Sequence, residues 1–433
     1  MKKILFLTLI FAACFYSCAI REYYSSVRSL EENRYFYGQM IYDGQTAGWF
    51  NVPARLLKVS EHAAFYIQTS FHQNYLSQSE NPTTVSTYAL EKLAQEFDYY
   101  YRDMTNIYGT HSDIDGNSKV IILLMDINWT LKNGQNASSS KVLGYFNPSD
   151  MHGYNEGEIL YMDLKSIKEE LENAIGTMIH EFQHLINYSY VIDGKRRQMS
   201  TWLNEMLSES TSILFNKATA EARMTGFNSI SYYSFYTWDI PKTVRNNQIV
   251  NYYSASVFAH WLYNTNGKKS DIFKKIANST EPAEWQKVLQ VARGINGLSG
   301  LTGWDDLLLT WMSNAIDGIT NHWNSSTKTK VNHTNGSVTL YPGAMVVFGS
   351  YSTSSVNNNI VTRTNNVTNI IVLNRDTTLS SSPLTTSVSG SSTSTRSVRN
   401  IRARRSIPII QEENEEIPTI NILLDRNGNI KEY

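Results

Sequence analysis

The sequence predicts an α+β protein: several short strands and a series of helices, then a small β-rich region and a polar tail. Three observations carry this. From Tyr35 the pattern alternates through Val59 and Ala64-Phe65-Tyr66-Ile67, and Val120-Ile121-Ile122-Leu123-Leu124-Met125 is an unbroken apolar run of strand length. Leu90, Leu93, Phe97 and Tyr101 keep helical spacing, as do the apolar runs Ala174 to Tyr190 and Tyr252 to Tyr263. Past Asn321 the pattern returns to short β segments divided by turn residues.

The chain has 433 residues, enough for two or three domains with ample core. A net charge of −1 supplies no field to hold a polyanion, which excludes nucleic acid as a partner. After residue 20 no apolar run reaches the roughly 18–20 residues of a spanning helix.

Taken in order, Met1-Lys2-Lys3 is a basic n-region and Ile4 to Tyr16 an apolar segment too short to span. The two cysteines of the chain, Cys14 and Cys18, close that segment, so the mature protein relies on no disulfide. Ser17-Cys18 reads as a relaxed lipobox, making 1–18 a lipoprotein signal peptide and Cys18 the acylated first residue, with Cys14 the runner-up. The expected location is outside the cytoplasm, on a bacterial membrane through that lipid. Residues 19–33 are polar and form a spacer.

The principal domain is expected over 34–325. Thr84 to Tyr108 reads as a long helix ending before Gly109. Asp113-Ile114-Asp115-Gly116-Asn117 then turns the chain into the strand 120–125. Its Asp-x-Asp-x-Asn spacing touches the EF-hand pattern, but Ser118 replaces the required glycine and no Glu follows at the twelfth position, so it reads as a turn. Trp129 to Lys141 is a polar loop. Val142 to Phe146 and Gly157 to Met162 are two more strands, with His152, Asn155 and Glu156 in the polar loop between them, expected at the rim of the functional site. Residues 225–248 form an aromatic loop that either lines a pocket or packs as a cluster. Further helices run through 271–276, 285–292 and 304–316. Val338 to Tyr341, Met345 to Phe348, Ile360-Val361 and Ile370 to Leu373 make 326–377 a small β-rich region. The stretch 378–433 combines a Ser/Thr-rich linker with a basic run and an acidic run, a solvated tail.

Chemistry concentrates in His180-Glu181-Phe182-Gln183-His184. At 3.6 residues per turn, two His four apart leave one face of a helix and can bind one Zn²⁺, while Glu181 reaches a metal-bound water. A third ligand is needed. The pattern H-E-x-x-H-x-x-G-x-x-H would place Gly at 187 and His at 190, where this chain has Asn187 and Tyr190, so the metzincin arrangement is excluded. The next apolar helix supplies Glu205 in Trp202-Leu203-Asn204-Glu205-Met206-Leu207-Ser208-Glu209. Glu209 lies one turn on, on the same face, where it can accept the other ring N–H of His180.

These residues carry a family resemblance. HEFQH followed by NEMLSE is similar to the gluzincin signature H-E-x-x-H…N-E-x-x-S-D/E of thermolysin-like enzymes, and HEFQHLINY with WLNEMLSES resembles the hyicolysin family of bacterial metallopeptidases more closely. The resemblance runs from about residue 98 to 315. It implies a zincin-type catalytic domain, with a mixed sheet, an active-site helix and a helical C-terminal subdomain. Zinc would sit on His180, His184 and Glu205, with Glu181 as catalytic carboxylate and Glu209 behind the ligands. The strand 157–162 would be the edge strand bordering the cleft. Tyr252 best matches the gluzincin tyrosine that stabilises the oxyanion, with Tyr253 and His260 as competitors. The implied function is an exported zinc endopeptidase acting on proteins or peptides. A non-catalytic surface lipoprotein or adhesin on the same scaffold, and an aminopeptidase, are the alternatives. The exopeptidase motif G-x-M-E-N is absent upstream of the helix.

Overall fold

The computed structural model describes residues 30–42, 45–69, 85–129, 142–235, 238, 249–324, 326–334, 337–340, 343–348, 360–365, 369–374, 384–387, 422–424 and 430–432. The signal-peptide reading, Cys14 and Cys18, most of the spacer, the loop 130–141 and most of the tail lie outside them.

The fold is α+β, as the sequence predicts. Its strands are β1 (Asn33–Tyr42), β2 (Gln45–Val59), β3 (Ala63–Gln68), β4 (Val120–Met125), the two-residue β5 (Asn128–Trp129), β6 (Gly144–Phe146) and β7 (Ile159–Asp163). They form one mixed sheet in the order β5-β1-β2-β3-β4-β7-β6. Strands β1, β2 and β3 are antiparallel neighbours, with Tyr37 opposite Asn51 and Leu56 opposite Tyr66. Strands β3, β4 and β7 run parallel, and β6 closes the edge antiparallel to β7.

Parallel neighbours require a crossover, and β3 reaches β4 through α1 (Thr87–Tyr108). The Ser86 side chain caps that helix by accepting from the Ala89 amide at 3.1 Å. Gly109 ends it at φ +112°, where a Cβ would stand 2.2 Å from the Tyr190 hydroxyl. Residues of β3, β4 and β7 are buried on both faces, so their sequences read as continuous rather than alternating apolar runs.

The sheet curls until its two ends meet. Gln39 of β1 donates its amide to the Tyr145 hydroxyl of β6 at 2.7 Å, and Asn128 of β5 exchanges hydrogen bonds with the Val142 backbone. One expectation is corrected here. The edge strand is β6, not the segment 157–162, because β7 pairs with β4 on one side and β6 on the other. Both are short apolar segments, and which lies outermost is a property of pairing.

Nine α-helices occur among the described residues. After β7 come α2 (Leu164–Glu169), α3 (Leu171–Ile192), α4 (Thr201–Phe215), α5 (Lys217–Phe227), α6 (Ile249–Thr265), α7 (Asp271–Ala277), α8 (Glu284–Arg293) and α9 (Trp304–Asp317). Residues 225–227, expected in the aromatic loop, close α5 instead. The rest of that segment, as far as it is described, packs. Tyr233, Phe235 and Trp238 are buried, and Phe235 lies against Trp202, Phe258 and Trp311. Helix α6 is buried on all sides from Val250 to Leu262, which marks it as the centre of the helical half.

The β-rich region forms strands β8 (Ser337–Leu340), β9 (Met345–Phe348), β10 (Ile360–Asn365) and β11 (Asn369–Asn374), with β11 between β10 and β9. Met345 and Tyr233 exchange backbone hydrogen bonds of 2.8 and 2.9 Å, which joins this sheet to the helical half. Residues Leu384–Ser387 pair with β8. No helix among the described residues is long and apolar enough to cross a membrane.

Candidate metal centre

Helix α3 is buried at every position from Ala174 to Asn187, so its polar side chains are held in the interior. It stops where Gly194 adopts φ +65°, with the Gly194 amide bonded to Val191 O and the Lys195 amide to Tyr190 O, a glycine-ended cap. Arg196 in the turn stacks its guanidinium over the Tyr190 ring at 4.5 Å and donates to Asn187 Oδ1. Asn187 in turn donates to Asn204 Oδ1 at 2.7 Å. The turn, the end of α3 and the start of α4 are thus tied together, and this sets α4's Glu205 against α3's histidines.

The Nε2 atoms of His180 and His184 lie 3.1 Å apart, and Glu205 approaches them at 3.4 and 3.7 Å. In a tetrahedral site with N and O ligands near 2.0–2.1 Å, ligand atoms sit about 3.3 Å from one another. These separations bracket that value, and all three residues are buried. The group could hold one metal ion.

Both ring tautomers are arranged for it. Ser208 donates to Gln183 Oε1, which leaves its oxygen to accept from His184 Nδ1 at 3.0 Å and the His184 Nε2 lone pair facing the cluster. His180 Nδ1 faces Glu209 Oε1 at 3.6 Å, again turning Nε2 inward. Two lone pairs facing each other at 3.1 Å repel, and a cation between them relieves this. Burial lowers both imidazoles, His184 to about 3 and His180 well below its ordinary range, so both stay in the neutral form that ligates.

Glu209 is itself gripped. Arg223 of α5 donates to its two oxygens at 2.7 and 2.8 Å, in a bidentate pair with side-chain exposures of 3% and 0%. The sequence reading missed Arg223 and Ser208. The local sequence of this helix gives Arg223 no distinguishing signal, and nothing near it names its partner.

Compared with known proteins, the chain matches no family model and no curated protein.

Glu181 is fully buried. Its Oε2 accepts from the Phe146 amide of edge strand β6 at 3.1 Å, while Oε1 has no hydrogen-bond partner among the described residues. Burial, with the Glu209 charge adding, raises it well above the usual carboxylate range. The three candidates on α6 separate by surroundings. Tyr252 lies edge-on to Trp238, with the Arg223 guanidinium 5.3 Å from its ring, and after burial it is raised chiefly by Glu205, Glu209 and Glu181. Tyr253 packs its ring on Gly226, and His260 Nε2 accepts from the His322 amide at 3.1 Å.

Two depressions flank the histidines. One is a cavity of about 320 Å³ lined by Leu143, Glu170, Thr177, His180, Thr211 and Arg223. The other, beside His184, is lined by Phe146, Tyr188, Val191 and Met199. In the loop 147–158, His152 is exposed beside the Tyr188 ring. Asn155, expected at the rim, is instead buried, accepting from the Tyr37 amide and donating to Asp150. A short side chain with both donors and acceptors is the means of bridging β1 to the loop, and that demand is invisible without the pairing.

Proposed function

We propose that this protein is a zinc-dependent endopeptidase of the gluzincin type, nearest in motif to the hyicolysin family, with a zincin-type catalytic domain. The observation that carries the reading is the buried convergence of His180, His184 and Glu205, with Glu181 held alongside by the β6 amide. Two neutral nitrogens and one carboxylate at tetrahedral spacing suit Zn²⁺, leaving a fourth position open. Zinc, when bound, supplies a Lewis acid that polarises a peptide carbonyl and lowers the pKa of water.

The chain's own residues do the rest. His180, His184 and Glu205 hold the ion, and Ser208 and Glu209 fix the ring orientations. Glu181 takes a proton from the attacking water on its unengaged oxygen and delivers it to the leaving amine as the peptide bond breaks. Tyr252 donates toward the developing oxyanion. Edge strand β6 offers backbone to an extended substrate, which gives affinity with little sequence demand. Export and acylation at Cys18, anchoring the enzyme to a bacterial membrane, complete the proposal.

The test is zinc content and casein hydrolysis for the wild type and Glu181→Gln. One equivalent of zinc in both proteins, with hydrolysis in the wild type alone, is expected. Zinc in both without hydrolysis favours the binding-protein alternative, release of amino-terminal residues alone favours an aminopeptidase, and absence of zinc overturns the ligand assignment.

A further inference from the structure

A second group of acids lies outside this site. Asp113 and Asp115 stand in the turn between α1 and β4, and Glu158 stands immediately before β7. Each presents a carboxylate oxygen, and these oxygens lie within 4.8 Å of one another. Glu158 is fully buried. Its Oε1 accepts from the Ile114 amide at 2.5 Å, while Oε2 is buried with no hydrogen-bond partner among the described residues. A carboxylate oxygen withdrawn from water with no donor costs free energy, and two neighbouring carboxylates raise that cost. Asp115 is buried as well, and a Cβ at Gly157 would stand 3.1 Å from its Oδ2, so this carboxylate rests against the backbone beside Glu158. Asp113 is exposed, which leaves a solvent path into the group.

We propose that Asp113, Asp115 and Glu158 form a calcium site that pins the α1–β4 turn to the start of β7. The donors are all hard carboxylate oxygens, with no nitrogen or sulfur, which disfavours zinc and copper. Ca²⁺ accepts six to eight oxygens in flexible geometry, so three carboxylates at this spacing, completed by water and carbonyls, suit it better than the rigid octahedron of Mg²⁺. The consequence reaches the other centre mechanically. Glu158 immediately precedes β7, β7 holds β6, and β6 holds Glu181 through the Phe146 amide. The ion would thus brace the sheet edge beside Glu181, and it does so whatever metal His180, His184 and Glu205 carry.

The test uses the full-length chain, stripped of metal with EDTA, desalted, and given back one equivalent of zinc. CaCl₂ is titrated by calorimetry and thermal unfolding is recorded with and without about 10 mM CaCl₂ or MgCl₂. The expected result is one calcium per chain with Kd in the range of about 10⁻⁶–10⁻³ M. Tm should rise by about 3–5 °C with calcium and by much less with magnesium. Glu158→Gln keeps an oxygen for the Ile114 amide, and Asp113→Asn changes an exposed residue, so Asp113→Asn carries the test if the first variant folds poorly. Both should lose at least tenfold in calcium affinity and most of the Tm rise, with unfolding in EDTA unchanged or slightly higher. No calcium heat or Tm shift in the wild type, an undiminished response in Asp113→Asn, or an equal response to magnesium would each overturn the assignment.

Discussion

Arg223→Met isolates what holds the ligand cluster together. Arg223 and Glu209 are paired through two hydrogen bonds of 2.7 and 2.8 Å at side-chain exposures of 3% and 0%, so neither charge has water to fall back on. Methionine preserves much of the volume and removes the charge. It strands the Glu209 carboxylate in the interior, with His180 Nδ1 at 3.6 Å as its remaining polar neighbour among the pairs described. Breaking a fully buried pair from one side costs about 3–5 kcal/mol. With an m value of about 2–3 kcal/mol/M, the urea midpoint should fall by about 1–2 M. Removing the stranded charge as well should recover part of this, so Arg223→Met with Glu209→Gln should be more stable than Arg223→Met alone by about 2 kcal/mol or more. Urea unfolding followed by tryptophan fluorescence, on zinc-loaded and EDTA-treated protein, measures Arg223→Met, Glu209→Gln and the double variant. A single variant within about 1 kcal/mol of the wild type, or a double variant whose cost is the sum of the singles, would refute the view that Glu209 depends on Arg223 for its charge.

Four other substitutions have definite expected outcomes. Glu209→Ala should weaken zinc binding about 10- to 100-fold while leaving one site per chain, measured by competition with a chromogenic chelator. Tyr252→Phe should lower kcat about 10²- to 10³-fold with little change in KM; a change confined to KM would assign Tyr252 to packing. Gly226→Ala should destabilise by about 1–3 kcal/mol in calorimetry, because the added Cβ would meet the buried Tyr253 ring at 2.3 Å. The fourth concerns Asp150, which burial pushes up to about 8 from an ordinary 3.8 despite donors on Tyr161 and Asn155. Between those values the unfolded chain has lost the proton and the folded chain keeps it, so this group's contribution to stability is greatest at low pH and is lost as pH rises toward 8. Asp150→Asn should flatten the slope by up to about 2.7 kcal/mol between about pH 5 and pH 7, read from urea midpoints across that range.

Much of this protein was legible along the chain, because its signals are local. The apolar run 120–125 folds as β4 at the expected limits, and Thr201–Phe215 and Trp304–Asp317 follow their 3.6-residue periods. Histidines four apart on a helix share a face by geometry alone, so His180 and His184 needed no fold to be read as a pair. Glu205 was legible for a related reason: a short connection between two apolar helices can do little except return the chain alongside itself.

What sequence could not express is which distant groups meet. The 157–162 strand was placed at the edge, and pairing put it inside, because β6 and β7 carry the same short apolar pattern and only hydrogen-bond order distinguishes them. Asn155 was read as rim, yet it bonds to β1 across a curled sheet. Arg223 was unread, since a buried cation is recognisable only through the buried anion opposite it, here Glu209. The turn at 113–117 lacked the glycine and the twelfth-position Glu of a calcium loop, and the third carboxylate beside it, Glu158, arrives from the segment just before β7. Periodicity and spacing are set by the covalent chain and its helical or extended repeat, so the sequence by itself determined the elements and the histidine pair. Charge pairing, strand order and the company of buried carboxylates depend on contacts between segments far apart along the chain, and those were decided by the tertiary fold.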